Sequence, residues 1–190
     1  MSLHDVQNLL ARIFTDEDLR LRFLLDPEKT GAENNLNAAE IEQIKQILPA
    51  QINFFADSLF YKRLHEVQKL LPLTRKVLNE DFEKYFREFA NQFLPQTIKK
   101  HLEDAVGFGG FLQSKEIKPL WIKDLAKLER SRLAFNNSEK RFLLKRFDFD
   151  IREILKEISR EGAQAQSDFP KRKTFAVWLR AGKRTKHFIY

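Results

Sequence analysis

The spacing of apolar residues changes near residue 136, and this change constrains the fold more than any other feature of the sequence. Before it, apolar residues recur every three or four positions, which is typical of helices that bury one face. After it, residues 141–149 and 175–190 are rich in apolar and aromatic residues and favour strands, with a short helix as the alternative for the first stretch. We therefore predict an α+β fold: a mainly helical bundle over residues 1–136 and a small, basic, β-rich domain over residues 137–190.

Prolines and capping residues divide the helical part into six or seven segments. Thr15 is typical of the start of a second helix, which is predicted to run to about Leu25. The stretch DPEKTGAENNLN, residues 26–37, is predicted to be a loop, with Asn37 as the cap of the next helix. Pro49 either kinks one long helix or begins another.

One predicted helix, within residues 79–94, carries an aromatic face. The rings recur at spacings of three and four residues, at Phe82, Tyr85, Phe86, Phe89 and Phe93. Such a stripe could line a ligand pocket, but this periodicity favours core packing. Asn79 is predicted to cap this helix.

The end of the chain predicts a small antiparallel sheet with one crossing helix. Asp150 is placed to cap the helical segment IREILKEISRE, and GAQAQSDFPKRK is a polar connector. The following strand has Phe175, Val177 and Leu179 on one side and Ala176, Trp178 and Arg180 on the other. The residues AGK are typical of a turn, so residues 184–190 can pair back as a C-terminal hairpin.

Composition excludes several classes of protein. The chain has no cysteine, so disulfides, thiolate zinc sites and iron–sulfur clusters are impossible. No stretch approaches the roughly 18 apolar residues of a membrane span, and the N-terminus lacks a cationic segment followed by an apolar run. We expect a soluble, cytoplasmic protein that does not bind membranes.

No catalytic motif is present. GFGGF, residues 107–111, fits neither the Walker nor the dinucleotide spacing, so its glycines are predicted to end a helix or to let two backbones approach closely. The four histidines form no H-x-H or H-x-x-x-H pair. Asp148 and Asp150 could form a carboxylate pair, but capping by Asp150 is the simpler account. We predict no enzyme activity, no cofactor and no catalytic or metal-binding residue.

Charge is distributed unevenly along the chain. Residues 1–112 carry 14 Lys and Arg against 17 Asp and Glu, a net charge of −3, whereas residues 113–190 carry 20 against 10, a net charge of +10. Such a field favours an anionic partner, which could be an acidic peptide, an acidic protein face or nucleic acid. Lysine retained only for solubility is the alternative explanation.

The basic residues and rings of the C-terminal part are the candidate partner-binding residues. They are Arg172, Lys173, Trp178, Arg180, Lys183, Arg184, Lys186 and Tyr190. Folding of the hairpin would gather the charges on one surface, and the rings could stack on bases, although both rings are also common packing residues.

Two helical blocks and the last hairpin are similar to a known family. LLARIFTDEDLRLRFLLDPE, residues 9–28, and SLFYKRLHEVQKLLPLTRKVLNEDFEKYFREFANQF, residues 58–93, resemble bacterial partner proteins of multinuclear non-haem iron oxygenases, such as the partner in methanobactin biosynthesis. The matching features are the residues Tyr61 to Leu64, where the matching motif starts, the Leu71-Pro72 break, and the spacing of Leu78, Phe82, Phe86 and Phe89. VWLRAGKRTKHFI resembles the terminal hairpin of a related actinobacterial domain, and some relatives are labelled as DNA-binding domains.

This resemblance implies a non-catalytic protein whose helices dock on an oxygenase and whose C-terminal β region captures a precursor peptide by adding a strand. We therefore predict an adaptor that binds an acidic peptide or protein, and nucleic-acid binding through the same surface is the alternative. A third hypothesis is an enzyme with a site built from His65, His101 and nearby carboxylates. Homodimerisation, which could occupy the sheet edge, stays open.

Overall fold

The structure is a computed structural model that describes residues 3–160, 168–182 and 184–190. The fold is α+β and mainly helical, which confirms the predicted class. The helices are α1 Leu3–Thr15, α2 Glu17–Leu25, α3 Pro27–Glu33, α4 Ala38–Lys45, α5 Pro49–Leu70, α6 Pro72–Leu78, α7 Glu80–Ala90, α8 Lys100–Ser114, α9 Trp121–Asn136 and α10 Ile151–Ile158. The strands are β1 Phe142–Phe149, β2 Lys171–Ala181 and β3 Arg184–Ile189.

The described residues divide into two compact units. The first contains residues 3–64 and 90–94, and the second contains residues 65–89 and the rest of the chain from residue 95. The sheet therefore lies in the same unit as α6, α8 and α9. A separate small domain over residues 137–190 stays a prediction.

The first unit is held together by a mainly aliphatic core and by capped helices. Asn37 and Glu40 form a capping box at α4, as the sequence predicted for Asn37, and Pro49 begins α5. Apolar residues from α1, α2, α4, α5 and the α3–α4 connection form the core: Leu9, Ile13, Leu19, Phe23, Leu36, Ile41, Ile44 and Ile52. This arrangement follows directly from the helical spacing of the sequence.

Two local predictions in this unit are wrong. Asp16, rather than Thr15, caps α2, because its Oδ1 accepts from the Leu19 amide at 2.9 Å while the Thr15 hydroxyl donates back to the Ala11 carbonyl. Residues 27–33 form α3 instead of a loop. The Asp26 side chain caps α3 by accepting from the Lys29 amide at 3.0 Å. Pro27 occupies the first helical position, where its missing N–H leaves no donor unpaired. The Asp26-Pro27 pair that ends α2 therefore also begins α3.

Gly31 of α3 provides a first testable prediction. A Cβ at this position would lie 2.5 Å from Ile41 Cγ1, and Ile41 is a stiff, buried β-branched residue. We expect Gly31→Ala to lower the free energy of unfolding by about 1–2 kcal/mol, because overpacking exceeds the gain of about 1 kcal/mol in helix propensity. Urea denaturation measures this, with exposed Lys29→Ala as a control; equal stability of both variants would contradict the prediction.

The second unit contains an aromatic core. Phe82, Phe86 and Phe89 of α7 are buried, and their ring centroids lie 5.0, 5.3 and 5.7 Å from that of Phe108 on α8, so these three rings are core as predicted. The other two rings of the predicted stripe, Tyr85 and Phe93, are only half-buried, and Phe93 lies beyond the end of α7. Asn79 ends α6 with a φ of 47° and directly precedes α7. GFGGF lies inside α8, so the helix-end alternative is wrong, whereas the close-approach alternative is confirmed at Gly109.

The sheet has the strand order β1-β2-β3, and both neighbouring pairs are antiparallel. Residues 142–149 thus form a strand rather than a helix, and β2 and β3 form the predicted hairpin. Asp150 caps α10 by accepting from the Arg152 amide at 3.1 Å, as predicted. Among the helices of the described residues, none combines the length and hydrophobicity that a membrane crossing requires.

Candidate binding surface on the C-terminal sheet

The inner face of the sheet packs inside the second unit. Phe147 of β1 and Thr174, Ala176 and Trp178 of β2 are almost fully buried, and β1 and β2 both contact α9. Burial of this face fixes the register, since a shift by one residue would expose all four side chains. The opposite face of the same strands therefore lies toward solvent.

The outer face, defined here by nine residues in three rows across the strands, is largely apolar. The register aligns the rows Phe142–Leu179–Lys186, Leu144–Val177–Phe188 and Arg146–Phe175–Tyr190. Its large apolar side chains are exposed, from 41% at Phe175 to 65% at Tyr190, apart from half-buried Val177. A contiguous apolar patch of this kind on a sheet typically marks an interaction site.

Cations lie at the corners of this apolar patch, and one exposed carboxylate, that of Asp148, follows Arg146 along β1. Arg146 and Lys186 lie at opposite corners of the outer face, and none of its nine residues is acidic. By strand alternation, Lys173 and Arg184 extend the same face at the two ends of the hairpin. Residues 171–190 contain seven Lys and Arg and no Asp or Glu. The face therefore has a positive electrostatic potential that favours acidic partners.

Four of the eight predicted partner-binding residues lie on or beside the outer face: Lys173, Arg184, Lys186 and Tyr190. All four are exposed, and the rings of Tyr190 and Phe188 stack with centroids 6.4 Å apart. A fifth, Lys183, lies outside the described residues.

The other three predicted residues have structural roles. Trp178 is 1% exposed on the inner face, so it is a core residue and cannot stack on a partner. The Arg180 guanidinium donates to the carbonyl of Phe135 at 2.6 Å and to that of Ser138, so it holds the last turn of α9 against β2. Arg172 is exposed and lies 3.6 Å from the buried carboxylate of Asp150.

The apolar residues of the outer face were not predicted as site residues. Both sides of β2 carry apolar side chains, so alternation alone did not show which side is buried. The position of α9 decides this, and it buries the side that carries Trp178. The side of the sheet opposite Trp178 carries more exposed aromatic and aliphatic side chains. That difference could have identified the outer face, but it becomes visible only when the pairing of the three strands is known.

The two edges of the sheet differ in how their main-chain groups are satisfied. At β1, Asp124 of α9 accepts from the Asp148 and Phe149 amides at 2.6 and 3.0 Å, and Lys127 donates to the Arg146 carbonyl at 2.7 Å. Burial raises the pKa of Asp124, although these two amides oppose the effect. Side chains from α9 thus occupy the C-terminal part of the β1 edge, at residues 146–149.

The β3 edge is open in the described structure. Phe175 and Tyr190 exchange both main-chain hydrogen bonds, at 3.1 and 2.9 Å. Hydrogen-bonded pairs alternate along an antiparallel ladder, so Arg184, Lys186 and Phe188 also bond to β2, while Thr185, His187 and Ile189 direct their N–H and C=O groups away from it. Among the described residues, no hydrogen bond reaches these three outward positions, and an unpaired strand edge can bind another strand.

Within the described ranges, no three His, Asp or Glu side chains are placed to hold a metal ion together. His65 and His101 are both exposed. The pKa of Glu66 is lowered, mainly by a hydrogen bond from Lys69.

No family model matches the chain, and no curated protein is significantly similar to it.

Proposed function

We propose that this protein is a non-catalytic adaptor that binds an extended acidic segment of another protein as a fourth strand beside β3. The single observation that supports this most strongly is the open β3 edge, which directly borders an apolar outer face with Arg184 and Lys186 on the same strand. Strand addition uses main-chain hydrogen bonds for affinity and alternate side chains for specificity. Both components are present at this edge.

The main-chain contribution comes from the three outward positions of β3. Their N–H and C=O groups are spaced to pair with every second residue of an added strand. Because the sheet is already formed, binding costs conformational entropy mainly in the incoming segment and little in the protein itself. Because β3 is short, at six residues, the partner segment should be of similar length.

The side-chain contribution comes from the outer face. An added strand places every second side chain on this face, next to Lys186 and Phe188. Carboxylates at these positions would approach Arg184 and Lys186, and apolar side chains would pack on Phe188 and Tyr190. On the side that faces these residues, the preferred segment therefore carries acidic residues at the end beside Arg184 and Lys186 and apolar residues at the end beside Phe188 and Tyr190.

The partner class follows from the resemblance of the helices to partner proteins of iron oxygenases. In this proposal the acidic segment belongs to such an oxygenase or to a precursor peptide that it modifies, and the adaptor works in the cytoplasm. Metal and redox chemistry would then belong to the partner. The chain contributes recognition and placement.

Nucleic-acid binding is the second candidate function, and the stacked rings of Phe188 and Tyr190 favour it. Exposed rings on a basic sheet can stack on the bases of a single strand. Such binding should weaken steeply with salt, with a logarithmic slope of about −0.7 for each phosphate contact. An acidic peptide with a few charges should show a shallower dependence.

A fluorescent peptide tests strand addition directly if every second residue of its six-residue core is drawn from glutamate and from valine or isoleucine, so that both types lie on the outer face. We expect it to bind the full chain, and we expect binding to weaken by about tenfold or more when alternate amides of the core are N-methylated. Methylation removes main-chain donors and leaves the side chains in place. Fluorescence anisotropy measures both affinities.

Three results would contradict the proposal. Equal binding of the methylated and unmethylated peptides would exclude strand addition. Tighter, strongly salt-dependent binding of an oligo(dT) strand would favour the second candidate. A stable dimer in sedimentation that dissociates when Phe188 is changed to Asp would show that a second copy covers this face.

A further inference from the structure

A second site lies away from the outer face, between α8, α9 and the start of β1. It is a cavity of about 260 Å³. Four cationic residues line it: Lys127, Arg130, Lys140 and Lys145. Neither an Asp nor a Glu is among its lining residues in the described structure, although the chain as a whole has 27 of them. The electrostatic potential inside is therefore positive.

The glycines of GFGGF give Arg130 its place in this cavity. A Cβ at Gly109 would lie 2.9 Å from Arg130 Cβ, and a Cβ at Gly110 would lie 3.2 Å from Arg130 Cζ. The arginine side chain thus runs across α8 over two consecutive positions that have no side chain. Glycine destabilises the middle of a helix, so two in succession there indicate a specific need for this space.

Three of the four cations have no anionic partner. In the described part of the chain, no hydrogen bond or ion pair involves the Arg130 guanidinium or the ammonium groups of Lys140 and Lys145. Lys127, the fourth, donates to a main-chain carbonyl, lies over the Phe147 ring and interacts electrostatically with the Asp124 carboxylate. Like charges around one cavity repel each other unless an anion binds between them.

We infer that this cavity binds a small molecule that carries a phosphate group. The planar guanidinium of Arg130 suits two oxygens of a phosphate, and lysines on the other walls supply compact charges. The hydroxyl of Ser131, a buried residue that lines the cavity, is a further polar group beside the anion. The volume lies just below the usual range for ligand pockets, which favours a small phosphate ester over a polymer.

Inorganic phosphate and pyrophosphate are suitable probes. Each is titrated into the full chain at constant ionic strength, with chloride as the compensating salt, and main-chain amide shifts are followed by NMR. We expect saturable shifts grouped at residues 109–113, 127–131 and 140–145, and a rise in the thermal midpoint that chloride does not produce. Shifts spread over all exposed lysines, or no saturation with either probe, would overturn the site.

Variants separate the cavity from general charge effects. We expect Arg130→Gln and Lys145→Gln each to weaken binding about tenfold or more, and Gly110→Ala to weaken it because the added methyl group displaces the guanidinium tip. Lys156→Gln, an exposed residue of α10, removes the same charge elsewhere and should leave binding unchanged. Equal losses in Lys156→Gln and Arg130→Gln would overturn the inference, and Lys145→Gln tests the cavity independently if an Arg130 variant fails to fold.

Discussion

Replacing Glu129 by alanine is expected to lower the free energy of unfolding by about 3–5 kcal/mol, the largest stability effect that we predict. The carboxylate is 1% exposed and accepts from the Leu73 amide at 3.0 Å, the Thr74 amide at 2.8 Å and the Thr74 hydroxyl at 2.7 Å. These amides begin α6, where helical N–H groups have no partner within the helix. Alanine would leave all three donors without this partner, and both donors of Thr74 are buried.

Two further variants sharpen this test. Glu129→Gln keeps the shape but points an NH₂ group at one of the amides, so a smaller loss of about 1–3 kcal/mol is expected. Glu139→Ala removes an exposed carboxylate just beyond α9 and should change stability by less than about 0.5 kcal/mol. Urea denaturation measures all three, and a loss below about 1 kcal/mol for Glu129→Ala would contradict the proposed role.

The pH dependence of the same residue has a definite sign. Burial raises the pKa of Glu129 above its ordinary value of 4.5, although the bonds from Thr74 and Leu73 oppose this. The folded state therefore holds the proton more tightly than the unfolded state, so this group's contribution to stability falls as pH rises from about 4.5 through the folded pKa. Glu129→Gln should remove that part of the pH dependence. If stability depended on pH in the same way in Glu129→Gln and in the unchanged protein, the raised pKa of Glu129 would be contradicted.

Reversing two charges beside β3 is expected to have the largest effect on binding. Arg184→Glu combined with Lys186→Glu should weaken the acidic peptide about 100-fold, because each change removes an attraction and adds a repulsion. Both side chains are exposed, so the thermal midpoint should change little. Fluorescence anisotropy provides the affinity, and circular dichroism provides the midpoint.

A matched double variant controls for net charge. Lys62→Glu with Lys156→Glu makes the same change in total charge at exposed positions outside the sheet, so the peptide should bind nearly as well as to the unchanged protein. If both double variants lose affinity equally, long-range charge rather than the β3 surface would account for binding. Loss of oligo(dT) binding alone, with the peptide unaffected, would favour the nucleic-acid candidate.

Most of the fold could be predicted because its signals are local. Asn37 with Glu40, the proline at position 49 and the alternation in the last strands each act within a few residues. The segment of residues 26–37 was missed because its turn-like composition includes an Asp-Pro pair that also begins a helix. Turn residues and helix starts share the same short polar side chains, so sequence alone did not separate them.

Of the nine residues of the outer face, only Lys186 and Tyr190 were predicted, because the choice of face depends on tertiary packing. The charges of Arg184 and Lys186 are visible in the sequence, but the choice of outer face depends on where α9 packs. The role of Arg180 also depends on α9, whose last carbonyls lie more than forty residues earlier in the chain. Likewise, the contact between Gly110 and Arg130 joins two helices, and no local pattern predicts it.

Amide exchange at β3 is the most direct test of the central claim that an extended acidic segment adds to this strand. Hydrogen exchange followed by NMR, with and without the acidic peptide, reports each amide separately. Strand addition predicts that exchange slows at Thr185, His187 and Ile189, while Arg184, Lys186 and Phe188, already bonded to β2, change little. Peptide binding with no slowing at these three amides, or with slowing only at the β1 edge or in the helices, would contradict the account.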